Sequence, residues 1–408
     1  MNISLDKSIL QTLISKIPPE TYGSERVSII LEEIGRLPSR DRQVLRDFFN
    51  KCLAYMIEKN ASDIEFGGNG NIGFVWMRIF GKLYRIRELP VISEDEACII
   101  IANLLNEKQR LFLDKNRCLD FSHTFFIELK KTIYRFRCNA FYDMDTLALN
   151  MRAIDATTRP LTSLGFGANI NKILTHGIVK QGLVLITGIT GSGKSSTLDS
   201  IIHEYNQTEP VHIIVVAHPI EYVHKSFMSL IKYREVGKDV LSFKDGIVQA
   251  LRQDPDVIVI GEMRDPATIS AALEITDTGH KVYSTLHTSS AVESIDRILA
   301  ECEVNEQERV RNRLADVLVA IISQKLVRGI DGTLIMVKEV LVVTPSVKAA
   351  IKNNNTSEIY MMINQGGALG MITMEQDLKR LYMAKKISLE TAIAHSNNKT
   401  RIQQILTA

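Results

Sequence analysis

The sequence predicts an α+β domain followed by an α/β domain built on a parallel sheet, and three observations carry that prediction. From about residue 183 onward, apolar runs of strand length alternate with helical segments, the pattern of parallel strands joined by crossover helices. Before residue 155 the texture differs: a long amphipathic helix leads into short strands broken by Gly67-Gly68 and Gly70. The chain has 408 residues, 45% hydrophobic and 24% charged, which is globular composition with length for two or three domains.

Taken in order, residues 1–43 read as an extension of short helices punctuated by Pro18-Pro19, Gly23 and Pro38. An amphipathic helix is expected over 39–59, with Ser39 as N-cap and Val44, Leu45, Phe48, Phe49, Cys52 and Met56 on one face. Residues 63–152 are expected to form strands, including 121–126 and 132–141, around one helix near 94–105. The run 155–160 reads as a linker. The next strands fall at 183–187, 212–217, 257–260 and 282–286. From Arg309 onward the chain reads as largely helical, with Leu314, Val317, Leu318 and Ile321 on one face. The expected division is therefore 1–43, 44–155 and 156–408.

Composition narrows the function classes. Forty-nine basic against forty-seven acidic residues leave a net charge of +2, with no broad positive field for nucleic acid. One Trp and 6% aromatic residues are too few for a single-strand stacking surface. The five cysteines lie far apart without a C-x-x-C pair, which reads as reduced core thiols rather than zinc ligands. The N-terminus lacks a basic segment followed by an apolar one, and the longest apolar runs are strand-length, so a soluble cytoplasmic protein is expected.

The sharpest signal is Gly188-Ile189-Thr190-Gly191-Ser192-Gly193-Lys194-Ser195, which fits the phosphate-loop pattern at every fixed position. Glycines allow a turn tight enough for successive N–H groups to face phosphate oxygens. Lys194 would reach the β- and γ-phosphates, and the Ser195 hydroxyl would ligate Mg²⁺. Ser196 continues into a helix whose apolar face is Leu198, Ile201, Ile202 and Tyr205, and whose positive N-terminal end faces the same anion. A nucleoside triphosphate is the expected ligand.

Hydrolysis needs a group that activates water. Glu262 closes the apolar run 257–260 at the strand end where ligands of parallel sheets collect. Asp265, before Pro266, suits a helix cap and leaves Glu262 free. His287, between Thr285 and Thr288, ends the next strand at the same edge, and His280 precedes that strand.

Together these segments resemble the PilT-type secretion ATPases, the retraction motors of type IV pili. The phosphate loop is their Walker A, and Arg234-Glu235-Val236-Gly237 with Ser242-Phe243 is similar to their REVG and SF segment. Ala250-Leu251-Arg252-Gln253-Asp254-Pro255-Asp256 and Gly261-Glu262-Met263-Arg264-Asp265 are similar to the segments around their Walker B. Thr278-Gly279-His280 and Thr285-Leu286-His287-Thr288 resemble their histidine box, and Ala61-Ser62-Asp63, Arg135-Phe136-Arg137 and Gly370-Met371-Ile372-Thr373-Met374 resemble outlying motifs.

The resemblance implies a PAS-like N-terminal domain, a RecA-like ATPase domain, ATP and Mg²⁺ as ligands, and a homohexameric ring with ATP between protomers. It implies Glu262, His287 and Arg264 as catalytic groups, with Arg135, Arg137 and Arg152 reaching the triphosphate. The implied partners are an inner-membrane platform protein and a paralogous ATPase, with no nucleic acid, at the cytoplasmic side of the inner membrane. The function implied is pilus retraction.

Two departures stand out. Where the family's aspartate box reads Glu-Asp-Pro-Ile-Glu, this chain has Ala217-His218-Pro219-Ile220-Glu221. The family's AIRNLI segment appears as Ser346-Val347-Lys348-Ala349-Ala350-Ile351. The first keeps two alternatives open: an ATP-binding accessory subunit that hydrolyses poorly, and a type IVB secretion or conjugation ATPase.

Overall fold

The computed structural model describes residues 3–127, 132–154, 158–175 and 180–407, in two compact units, Met1–Ala156 and Thr157–Ala408. Of the expected linker, residues 155–157 lie outside the described residues.

The first unit holds one antiparallel sheet. Its strands are β1 (Ala61–Gly67), β2 (Val75–Ile79), β3 (Lys82–Ile86), β4 (Cys118–Ile127), β5 (Thr132–Asp143) and β6 (Thr146–Ile154), in the order β3-β2-β1-β6-β5-β4. Helix Ser39–Glu58 buries Leu45, Phe48, Phe49, Cys52 and Met56 as its spacing predicts, and the Phe49 ring meets Phe66 of β1 edge-on at 5.3 Å. Its N-cap is Pro38 rather than Ser39, with no side-chain cap bond. Pro38, held at φ −54° with an extended ψ, turns the chain into the helix and leaves Ser39 as its first residue.

A second helix, Glu107–Asn116, follows Glu94–Leu104 where only one was expected. Asn106 and Gln109 form a capping box at its start, a signal of the type that starts a helix without help from an apolar stripe. The first forty residues pack into this unit. Leu10, Leu13, Ile30 and Ile34 are almost fully buried in its core. Arg26 clasps Asp95 through two 2.7 Å bonds, and Lys7 pairs with Glu96 at 3.1 Å.

The second unit is a seven-stranded sheet with helices on both faces. Its strands are β7 (Gly182–Thr187), β8 (His212–Ala217), β9 (Leu230–Glu235), β10 (Val257–Ile260), β11 (Lys281–Leu286), β12 (Leu318–Arg328) and β13 (Leu334–Val342). The order is β13-β12-β7-β11-β10-β8-β9, parallel except for β13 against β12. β7, β10 and β11 are buried along their whole length, which explains runs without polar alternation.

The expected helix beyond Arg309 ends at Val317, and Leu318 and Ile321 belong to β12. The run Val317 to Ile322 is rich in β-branched residues, which pack well on a pleated, buried surface. Burial between β7 and β13 decides in favour of strand. The chain is helical again from Pro345.

Glu339 on β13 is buried and accepts the Ala291 N–H at 2.8 Å, and burial pushes its carboxyl up to about 7. A raised folded-state value means that the folded form keeps a proton which the unfolded chain releases above its ordinary value of 4.5. The stability this proton gives is complete below that value and lost as pH rises through about 7. Glu339→Gln, which keeps the acceptor, is expected to raise the melting temperature above wild type at pH 8 and to change it little at pH 5. An equal shift at both pH values would contradict this assignment.

Candidate functional site

The phosphate loop joins the end of β7 to helix Lys194–Thr208. Gly188, Gly191 and Gly193 all have positive φ, and a Cβ at Gly188 would collide with the Ser192 hydroxyl and the Gln324 carbonyl. Gly193 is the N-cap and brings no side chain to the first N–H groups of the helix. The helix therefore presents open donors and a positive field where the loop turns. Among the described residues, the buried Ser192 hydroxyl has no hydrogen-bond partner. These features fit a bound polyphosphate.

The Lys194 ammonium donates to the carbonyls of Gly188 at 2.7 Å and Ile189 at 3.1 Å. Burial lowers its pKa, while the charges of Glu262 and Glu221 act to raise it. Ser195 and Ser196 follow in the first helical turn, and the Ser196 hydroxyl lies 3.2 Å from the Tyr222 hydroxyl.

β12 supports the loop from beneath. Gln324 is buried; its side-chain amide donates to the Ser192 carbonyl at 2.8 Å and accepts from the Thr197 hydroxyl at 3.0 Å. The adjacent Ser323 accepts from Thr187, the last residue of β7, at 2.8 Å. Both residues lie more than 120 positions from their partners, so the expectation of a helix there left the clamp unseen. The usable signal was a Ser-Gln pair inside an apolar run.

Glu262 follows β10 and Arg264 folds back on it at 2.7 Å. His287 follows β11, its Nε2 3.8 Å from Glu262. The structure thus brings Lys194, Glu262, Arg264 and His287 to one edge of the sheet. Burial, with Lys194 and Arg264 nearby, lowers the His287 pKa, while Glu262 acts to raise it. Asp265 caps helix Pro266–Asp277 by accepting the Thr268 N–H at 2.8 Å. His280 lies before β11, at the opposite end of that strand, where its Nδ1 is 2.9 Å from the Thr278 hydroxyl. It belongs to that turn and not to the phosphate edge.

The altered aspartate box leaves a gap in this edge. His218 is exposed and its Nδ1 lies 3.0 Å from the Val236 carbonyl oxygen. A Cβ on Gly261 would stand 3.1 Å from Ala217, so the two chain segments approach closely. Glu221 was not among the sequence-based candidates; it follows the altered aspartate box in the chain, and its charge acts to raise the Lys194 pKa.

The N-terminal arginines lie in the first unit. Arg137 of β5 stands opposite Arg152 of β6. The Arg152 Nε donates to the buried Asp63 carboxylate at 2.7 Å, and Arg78 approaches the same carboxylate at 3.6 Å. Arg135 faces Ile154.

Lys194→Ala is expected to weaken ADP binding by about ten- to a hundredfold, since a charge-assisted bond contributes roughly 1.5–3 kcal/mol. Titration calorimetry reads this directly. Unchanged affinity would place the nucleotide elsewhere.

Comparison with known proteins places the chain in a family. The type II/IV secretion system protein family matches residues 39–407. The type IV pilus retraction ATPase PilT of Pseudomonas aeruginosa is 36% identical over 343 residues, covering 84% of this chain and 96% of that protein. The type IV pilus ATPase PilU of the same organism is 31% identical over 351 residues, covering 86% and 89%. The crystal structure of the pilus retraction motor PilT with bound ADP superposes with a TM-score of 0.77 at 35% identity, covering 87% of this chain and 98% of that one. The chain belongs to the type II/IV secretion system protein family, and within it is a PilT- and PilU-like pilus ATPase.

Proposed function

We propose that this protein is the ATP-hydrolysing subunit of a homohexameric motor that retracts type IV pili. The observation that carries the reading is the convergence of Lys194, Glu262, Arg264 and His287 around a loop shaped for polyphosphate. Similarity to a pilus retraction ATPase over most of the chain supports it. In this reading the first unit is PAS-like and the second RecA-like. The protein works at the cytoplasmic face of the inner membrane against a platform protein, and no helix among the described residues is long and apolar enough to cross the membrane.

Lys194 leaves its two carbonyl partners and takes up the β- and γ-phosphates. The Ser195 hydroxyl is the ligand available for Mg²⁺, which when bound neutralises phosphate charge. Glu262 accepts a hydrogen bond from the attacking water and takes its proton as the water adds in line. Arg264 holds the Glu262 carboxylate in place, and His287 offers a hydrogen-bonding group at the same edge. Arg137 and Arg152 of a neighbouring protomer supply positive charge to the transferring phosphoryl group, with Asp63 fixing the direction of Arg152.

A second reading, an accessory subunit that binds ATP and hydrolyses it poorly, is favoured by one observation: no carboxylate stands at position 217 or 218. A secretion motor with other cargo is separated by a cellular test. The purified chain is expected to form a hexamer and turn over ATP above background, with Ala217→Glu changing the rate little. Background turnover that rises with Ala217→Glu would establish the accessory reading. Expression in a bacterium lacking its own retraction ATPase is expected to restore twitching, and failure there by a chain that hydrolyses ATP would point to different cargo.

A further inference from the structure

The segment between β8 and β9 carries Glu221 and the altered aspartate box, and it has almost no regular structure of its own. Ile220 is buried, but Val223, Phe227 and Met228 are 50%, 73% and 46% exposed. Apolar burial therefore holds little of the segment beyond Ile220. Polar contacts to one face of the phosphate-loop helix hold the rest.

Ser196, Asp199 and Asn206 recur at helical spacing along that face. Ser196 meets the Tyr222 hydroxyl at 3.2 Å. Asn206 donates to the Lys225 carbonyl and accepts the Phe227 N–H, each at 2.8 Å. Between them, the His224 Nε2 lies 2.5 Å from Asp199 Oδ1, with the two side chains 7% and 2% exposed. The carboxylate accepts and the ring N–H donates. The His224 main-chain N–H donates in turn to the Tyr233 hydroxyl on β9 at 2.7 Å.

We propose that Asp199 and His224 form a latch that fixes the β8–β9 segment to the phosphate-loop helix and so positions Glu221 at Lys194. The inference rests on the reading that this site hydrolyses ATP. Asp199 lies one helical turn beyond Ser195, and Glu221 lies three residues before His224. The two ends of the latch are therefore tied to the two sides of the phosphate site. A buried carboxylate is costly without a partner, so the pair holds one geometry. With Ala217 and His218 contributing no carboxylate, Glu221 is the acidic residue in the stretch 218–229, and its charge acts to raise the Lys194 pKa. Asp199 and His224 are positioning residues, since neither is placed to touch the reacting atoms.

The test uses the full chain with ATP and, separately, ADP. Asp199→Ala is expected to lower kcat about tenfold or more, because small misplacements near the reacting groups cost that much. The KM for ATP and the affinity for ADP are expected to change by less than about threefold. Asp199→Asn, which keeps an acceptor for the His224 N–H, is expected to retain most of the activity. Asp199→Ala combined with Glu221→Gln is expected to be no slower than Glu221→Gln alone, the non-additivity of groups acting as a unit. Amide exchange is expected to speed up across residues 221–230 and to stay unchanged in the helix interior.

Additive losses, or unchanged exchange in Asp199→Ala, would overturn the latch. If Asp199→Ala does not fold, His224→Ala removes the loop side of the pair and carries the same comparison. If wild type shows no turnover, the hydrolytic reading fails on its own, and the exchange comparison still decides the latch.

Discussion

The Lys194 ammonium is buried at the head of a helix whose own N-terminal end is positive, and the second unit is organised around answering that charge. Desolvation and the helix field both work against the cation. Two carbonyls of its own loop and the charges of Glu262 and Glu221 work for it. A bound polyphosphate would answer the same charge, and three loop glycines with positive φ and a Ser192 hydroxyl without a partner among the described residues fit one. Each answering group arrives on a different strand end: the loop from β7, Glu221 after β8, Glu262 after β10.

The sheet order makes this possible. β7 lies between β11 and β12, so the loop after it has neighbours on both sides. On one side come His287 and, one strand further, Glu262. On the other, Ser323 and Gln324 hold the entry, apex and exit of the loop. The C-terminal helices reach the same region: Lys325 bonds the His395 carbonyl at 2.8 Å, and Asn397 donates to the Ser289 carbonyl at 3.1 Å, just after the histidine strand. The edge that carries the phosphate loop is thus braced by chain segments remote in sequence.

How much of this was legible in the sequence follows from the range of each interaction. The phosphate loop is local, so its glycines, Lys194 and Ser195 declare themselves by spacing alone. Glu262 and Asp265 separate by chemistry, because only the residue before Pro266 can cap the next helix. β12 was misread because its apolar residues satisfy a helical period as well as a strand one, and only packing against β7 and β13 decides between them. The Gln324 clamp and the Asp199–His224 pair were illegible for a related reason. A polar residue in an apolar run names no partner until the topology brings one. β9 was missed likewise, since Leu230–Glu235 alternates with Lys232 and Arg234 and carries no apolar run.

The central claim is that Glu262, held by Arg264 at the end of β10, takes the proton from water during ATP hydrolysis, while Lys194 and the loop supply binding. A single-turnover measurement with Glu262→Gln tests it most directly, because binding and chemistry are read separately. The account predicts ATP affinity within a few-fold of wild type and a hydrolysis step slowed by about a hundredfold or more. Hydrolysis at the wild-type rate by Glu262→Gln, with ATP bound normally, would contradict it.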